Sequence, residues 1–354
     1  MTLKLSKQEI VKEIVKSGKD PIYFINNYCR ISHPLKGLIP FNTYPYQDDL
    51  VKDFNDYRFT VILKARQLGI STISAAYAVW FMLFHKEKNI LVMATKFTTA
   101  ANLVKKVKMV MKNLPPWMQV AKITIDNRNS FELSNGSTIK AVGTSADAGR
   151  SEALSLLIID EAAHVEGLEE LWAGLYPTLS TGGRCIALST PMGVGNWFHR
   201  TYVDAENGDN EFHPVSLPWD VHPERDRNWF EKETKNMSRR QIAQELECNF
   251  NTSGETVIHP DDIHWLTSLV CEPEYRTGWD RNMWIWEKHQ EGVPYLMVAD
   301  VARGDGADSS VFHILRTDNM EVVAEYQGKP TMDHFAKILY DAGKEYGNCL
   351  MVIE

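Results

Sequence analysis

The stretch Lys64-Ala65-Arg66-Gln67-Leu68-Gly69-Ile70-Ser71-Thr72, preceded by the largely apolar run Phe59-Thr60-Val61-Ile62-Leu63, decides how this chain is read. The apolar run reads as a buried strand. The glycine-bearing turn and the hydroxyl residues then open a largely apolar helix, Ser71–Lys86. Backbone N–H groups of such a loop, together with the helix N-terminus, favour anions, so strand, loop and helix make a phosphate cradle. Far downstream, Leu156-Leu157-Ile158-Ile159 ends in Asp160-Glu161. That is a second buried strand whose first carboxylate can serve a metal ion and whose second can polarise water. Nucleotide hydrolysis accounts for both segments, and either alone is a weak signal.

Working outward, buried strands alternate with helices. Ile90–Ala94 reads as a strand and Thr98–Leu114 as an amphipathic helix, with Leu103, Val104, Val107, Val110 and Met111 on one face. Lys105, Lys106, Lys108 and Lys112 fall on its polar side, as a solvated face or a DNA contact. Phe131–Ile139 reads as a hairpin turning at Asn135-Gly136, and Cys185–Ser189 as another buried strand. Continuously apolar strands separated by helices imply a parallel sheet with helices on both faces. Residues 1–35 read as short helices, Lys7–Ser17 and Pro21–Tyr28. Composition turns polar near residue 205, and Asp220–Lys235 is dominated by charge. Ser238–Phe250 then reads as a helix, with a turn at Thr252-Ser253-Gly254-Glu255. Beyond about residue 265, strands Tyr295–Ala299, Ser310–Leu315 and Val322–Tyr326, a helix Thr331–Gly347 and a strand Cys349–Ile353 make a second α/β unit. The expected division is 1–262 (core about 36–205, with 1–35 and 206–262 as a smaller lid or linker subdomain) and 263–354.

A length of 354 residues suits about two domains. No stretch reaches the roughly 18 apolar residues of a membrane span, and Ala75–Phe84 comes nearest. The N-terminus lacks the apolar core of a secretion signal. Five scattered cysteines without a C-x-x-C pair point to free thiols and no zinc site. A net charge of −8 argues against a surface coated by nucleic acid, while leaving room for a local basic track.

The usual phosphate loop reads G-x-x-x-x-G-K-[ST]. Gly69 and Ser71 sit where expected, but Ile70 occupies the lysine slot and Lys64 the first-glycine slot. A lysine at the start of the loop can reach the β- and γ-phosphates from the other side; the alternative is an ordinary strand-end charge. Ser71 would hold Mg²⁺, Asp160 would bind it through water, and Glu161 would orient the attacking water. Arg66, Gln67 and Thr72 complete the loop's candidate nucleotide contacts. Ser189-Thr190 ends a buried strand with two hydroxyls that can sense the γ-phosphate. Tyr46-Gln47 lies upstream, where a ring and an amide can read adenine or simply pack and turn. Arg66 and Arg150 both qualify to counter transition-state charge, in their own subunit or a neighbour's.

Together these residues resemble the large terminase subunit of tailed bacteriophages, the ATP-driven motor that packages DNA into empty capsids. Lys64–Thr72 is similar to that family's Walker A variant with a shifted lysine, Leu156–Glu161 to its Walker B strand with the catalytic glutamate, and Ser189-Thr190-Pro191 to its coupling motif. Tyr46-Gln47 is similar to the adenine-recognising segment, and Arg66 and Arg150 each fall where an arginine finger has been assigned. Gln244–Phe250, followed by Ser253-Gly254, resembles the end of the small subdomain. The resemblance implies a P-loop NTPase followed by a partial ribonuclease-H-like nuclease. In that nuclease Asp300 would be the first catalytic aspartate and Glu354 the second acid, with Asp308 beside them on Mg²⁺ or Mn²⁺. A third acid, and hence further chain, is expected beyond Glu354. ATP and Mg²⁺ are the implied cofactors. Double-stranded DNA, the portal protein, the small terminase subunit and further copies in a ring on the portal are the implied partners, with no membrane. The setting would be the infected host's cytoplasm, with transient docking on the procapsid. Two other readings stay open: a superfamily-2-like DNA translocase or helicase, and a non-catalytic nucleotide-binding scaffold suggested by Ile70.

Overall fold

A computed structural model describes residues 5–33, 35–144, 153–253, 266, 269–278, 281–302 and 308–354. The chain divides into two units, Met1–Pro260 and Asp261–Glu354. In the first, α1 (Lys7–Lys19), α2 (Pro21–Tyr28) and a hairpin of β1 (Arg30–His33) and β2 (Gly37–Pro40) precede α3 (Pro45–Asp56). Strand β3 (Phe59–Lys64) runs into α4 (Ile70–Phe84), and β4 (Asn89–Ala94) into α5 (Phe97–Lys112). Then come β5 (Ile123–Asn127), β6 (Ser130–Leu133), β7 (Thr138–Val142), β8 (Leu156–Asp160), α6 (Leu168–Leu175), β9 (Arg184–Ser189), α7 (Trp197–Asn207) and β10 (Phe212–Leu217). Helices α8 (Arg227–Thr234), α9 (Arg239–Glu245) and α10 (Phe250–Ser253) follow.

One sheet gathers these strands in the order β10-β3-β9-β8-β4-β7-β6-β5. Every neighbouring pair from β10 to β7 is parallel, and β6 and β5 extend the sheet antiparallel. Strands β3 and β8 are buried at every position, as strands covered on both faces must be. Their residues alternate between two cores. Ile62, Val92, Ile158 and Leu188 pack with α3, α4 and α5, while Val61, Leu63, Met93, Ile159 and Ala187 pack with α6 and α7. The doubly covered parallel sheet expected from the apolar runs is the one that forms. Because β9 lies between β3 and β8, the strand ends carrying Lys64, Ser189 and Asp160 stand side by side. Ligands of open parallel sheets bind at such carboxyl ends, where the strand order reverses.

Some elements depart from the sequence expectation. Strands β5 and β10 carry partly exposed residues and no apolar run to announce them, and β10 tolerates Pro214 because it is an edge strand. Helix α9 stops at Glu245 and does not continue to residue 250. Cys248 has a φ of +57°, a left-handed conformation outside any right-handed helix. Residues 252–253, expected in a turn, belong to α10.

The second unit holds β11 (Tyr275–Thr277), β12 (Met283–Ile285), β13 (Tyr295–Asp300), β14 (Ser310–Arg316), β15 (Val322–Gly328), α11 (Met332–Glu345) and β16 (Leu350–Ile353). Their order is β11-β12-β15-β14-β13-β16. Strand β13 is antiparallel to β14 and parallel to β16, with α11 as the crossover. Three antiparallel strands, a helix and a fourth strand beside the first make the opening of a ribonuclease-H-like sheet. Phe335, Leu339 and Ala342 of α11 share a core with Met297, Phe312, Ile314 and Tyr326.

Candidate nucleotide site

The loop after β3 is shaped by Gly69, whose φ of +75° starts α4 from a left-handed residue. Ile70 is only 1% exposed and belongs to the core under α4, so the slot that usually offers a lysine is turned into the core. Lys64 ends β3 and is itself buried. Ser71, in the first turn of α4, stands beside the Asp160 carboxyl at the end of β8. Burial pushes the Asp160 carboxyl above the usual range, Lys64 pulls it back, Glu161 adds to the rise, and Ser71 and Lys106 oppose it. Glu161 leaves the strand in a left-handed conformation, φ +58°, with its N–H donating to Asp160 Oδ1 at 3.1 Å. Such a conformation in a non-glycine residue costs about 1–3 kcal/mol and clusters at functional sites.

Lys106 requires a correction to the view of α5 as bearing a solvated or DNA-contacting lysine face. Lys108 and Lys112 are paired with Asp126 at 2.9 and 2.6 Å. Lys106 instead reaches the nucleotide side, its Nζ donating to Thr72 Oγ1 at 3.3 Å. Position along the stripe does not single Lys106 out, since Lys108 borders it equally, four residues after Val104 and three before Met111.

Strand β9 delivers Ser189 and Thr190, both buried, to the turn that carries Glu161. Ser189 Oγ accepts the Ala163 N–H at 3.1 Å, and Thr190 Oγ1 lies 3.2 Å from His164 Nε2. The same imidazole nitrogen stands 3.9 Å from Glu161 Oε2. The two hydroxyls therefore touch the segment behind Glu161 directly.

On the opposite side of the loop, the Tyr46 hydroxyl and Gln47 Nε2 both donate to the Leu68 carbonyl at 2.9 Å. Beside them opens a cavity of about 670 Å³ whose lining includes Phe41, Tyr44, Gln47, Gly69, Thr72 and His222. Tyr44 stacks on Tyr46 with ring centroids 5.8 Å apart and meets His222 at 4.5 Å. Neither Tyr44 nor His222 is among the residues the sequence singles out. Tyr44 adjoins the Tyr46 segment and was within reach, whereas His222 arrives from beyond β10 by tertiary packing.

Arg66 is held by α9: its Nε lies 2.9 Å from Glu245 Oε2 and its N–H donates to the Glu245 carbonyl at 2.8 Å. Arg225 donates to the carbonyls of Arg66 and Gln67, each at 3.1 Å, and lies over the Trp229 ring. Gln67 has a φ of +57°, so both arginines grip the loop where it turns. Arg150 lies outside the described residues.

A family model described as terminase large subunit, T4-like-virus type, N-terminal, matches residues 61–264, more than half of the chain. The chain belongs to the terminase large-subunit family. Among solved structures it is similar to the large terminase of bacteriophage HK97, with 15% identity, a TM-score of 0.54, and 95% of this chain and 74% of that one covered. It is also similar to a large terminase from a thermophilic bacteriophage, solved in complex with ADP, with 11% identity, a TM-score of 0.50, and 88% and 77% covered. The ATPase domain of the Thermus phage P74-26 large terminase matches with 21% identity and a TM-score of 0.47, covering 59% of this chain and 94% of that one. No helix among the described residues of this terminase chain is long and apolar enough to cross a membrane.

The acids singled out in the second unit of the terminase chain are only partly brought together. Glu354 N–H donates to the Ala299 carbonyl at 2.9 Å, so Asp300 and Glu354 stand at the ends of adjacent parallel strands. Asp308 is exposed, and residues 303–307 before it lie outside the described residues. Among the described residues no group of three His, Cys, Asp or Glu side chains is placed to hold a metal ion, so the trio expected on Mg²⁺ or Mn²⁺ is not assembled.

Proposed function

We propose that this terminase chain hydrolyses ATP and couples the hydrolysis to movement of double-stranded DNA into a procapsid. The observation that carries the reading is the convergence of Lys64, Ser71, Asp160, Glu161, Ser189 and Thr190 at the ends of three neighbouring strands, around one loop. Lys64 and the loop N–H groups hold the phosphates. The Ser71 hydroxyl and the Asp160 carboxylate are hard oxygen donors of the kind Mg²⁺ takes, and bound Mg²⁺ would neutralise phosphate charge. Glu161 orients the attacking water. Adenine enters the cavity walled by Tyr44, Gln47 and His222. Support comes also from the thermophilic-phage large terminase that shares the fold and was solved with ADP.

Ser189 and Thr190, bonded to the turn behind Glu161, pass the state of the nucleotide into the sheet. Arg66 and Arg150 remain the two candidates for the transition-state cation. The Arg66–Glu245 pair favours Arg66 as an internal clamp, which leaves the finger to Arg150 of a neighbouring copy in a ring on the portal. Double-stranded DNA, the portal protein and the small subunit are the partners of such a motor, working in the infected host's cytoplasm. The second unit is the start of a ribonuclease-H-like nuclease. Among the described residues Asp300, Asp308 and Glu354 form no metal-holding group, and the expectation to test is that residues 1–354 alone cleave DNA negligibly. Metal-dependent cutting lost in Asp300→Ala would refute that.

The test is Mg²⁺-dependent ATP turnover with and without DNA. Glu161→Gln should bind ATPγS like the wild type and lose turnover by at least about a hundredfold, because the cradle stays while the water-orienting carboxylate goes. Undiminished turnover would overturn the assignment. Absent turnover in the wild type, with DNA and portal supplied, would favour the scaffold reading. Strand displacement would favour the helicase reading.

A further inference from the structure

The four lysines of α5 do not share one environment. Lys108 and Lys112 are both paired with Asp126, and Lys105 is exposed. Lys106 is partly buried, makes no ion pair among the described residues, and donates to Thr72 Oγ1 in the first turn of α4. Its charged neighbours are Lys64 from β3 and Asp160 from β8. Two lysines thus share one buried carboxylate, beside a loop whose N–H groups already favour anions. A partly buried ammonium without an ion pair is unfavourable by itself and would be relieved by a bound polyanion. The usual loop lysine would enter from residue 70, but Ile70 is turned into the core. The α4 side of the loop therefore has no cation of its own, and α5 supplies one.

We propose that Lys106 is a second phosphate-binding lysine, contacting the nucleotide's phosphates from the α5 side while Lys64 contacts them from the β3 side. The proposal rests on the reading of the loop as an ATP site. It makes Lys106 a catalytic residue that substitutes for the missing loop lysine through a different element. A lysine stem packs as apolar material, so methionine keeps most of the burial and removes only the charge.

Binding of ATPγS with Mg²⁺ is measured by titration calorimetry on the wild type and on Lys106→Met, Lys106→Arg and Lys105→Met, with unliganded melting temperatures as a check on folding. Lys106→Met should weaken binding about ten- to a hundredfold, the effect of one charge-assisted contact. Lys106→Arg should recover most of the loss, and Lys105→Met should change binding by less than about twofold, as an exposed charge does. Wild-type affinity in Lys106→Met overturns the proposal. So does a loss that arginine fails to recover and that comes with a lowered melting temperature, since that marks a packing role. No ATPγS binding by the wild type would instead overturn the reading of the loop as an ATP site.

Discussion

A side chain at residue 69 meets two obstacles. The φ of +75° is unfavourable for any L-residue by about 1–2 kcal/mol, and an added Cβ would stand 2.7 Å from Gln47 Nε2. Gln47 can move only by giving up its bond to the Leu68 carbonyl, which ties the cavity lined by Tyr44 and His222 to the loop. Gly69→Ala should therefore lower stability by about 1–3 kcal/mol and weaken ATPγS binding at least tenfold. Melting curves with and without ATPγS read both effects; an alanine variant that binds normally would show that the loop tolerates the strain. Residue-scale legibility follows from the same local logic. Gly69, Ser71, Asp160 and Glu161 could be read because a turn, a helix start and a strand end all write themselves in consecutive residues. Lys106 could not be told from Lys108 by type, as only the packing of α5 on α4 sends one to Thr72 and the other to Asp126. Ile70 reads as a defect in a motif, and burial explains it as part of the core.

At the scale of elements, β9 brings two hydroxyls, Ser189 at its end and Thr190 just beyond, to the turn behind Glu161. Removing Ser189 Oγ leaves the buried Ala163 N–H without its acceptor, which costs about 1–3 kcal/mol. Ser189→Ala should show that loss in urea or thermal unfolding. The double variant Ser189→Ala, Thr190→Ala should bind ATPγS within a few fold of the wild type, because neither hydroxyl belongs to the loop, yet fail to package DNA in an ATP-driven assay. Normal packaging by the double variant would remove the coupling role. The strands that carry chemistry were legible because burial on both faces demands an unbroken apolar run, as in Leu156–Ile159. The edge strands β5 and β10 escaped because an edge needs no such run, and the end of α9 escaped because nothing in the residue types around Cys248 foretells its left-handed turn.

At the scale of the whole molecule, the two units differ in how their sheets are covered. In the first, helices pack on both faces, and the strand residues alternate between two cores. In the second, α11 covers one face, and on β13 and β16 the residues of opposite parity, Val298, Leu350 and Val352, remain exposed. Burial of apolar area is the main source of stability, at about 25 cal/mol per Å². The second sheet accordingly gains less per strand and should open more easily, since local stability tracks buried contacts. Hydrogen exchange followed by mass spectrometry on residues 1–354 tests this. Amides of β3, β8 and β9 should be protected longest, those of β13 and β14 should exchange earlier, and the edge strands β11 and β16 should be the fastest of their sheet. β16 pairs with β13 through four register positions and exposes 70% of Leu350 and 50% of Val352. Val352→Thr should leave its exchange nearly unchanged, because that side chain is already half in water, whereas Ala299→Gly, on the covered face of β13, should hasten exchange across the second unit alone. Equal protection in both units, or a slow β16, would show that the uncovered face of the second sheet is shielded in solution and that its stability does not follow from the cores described.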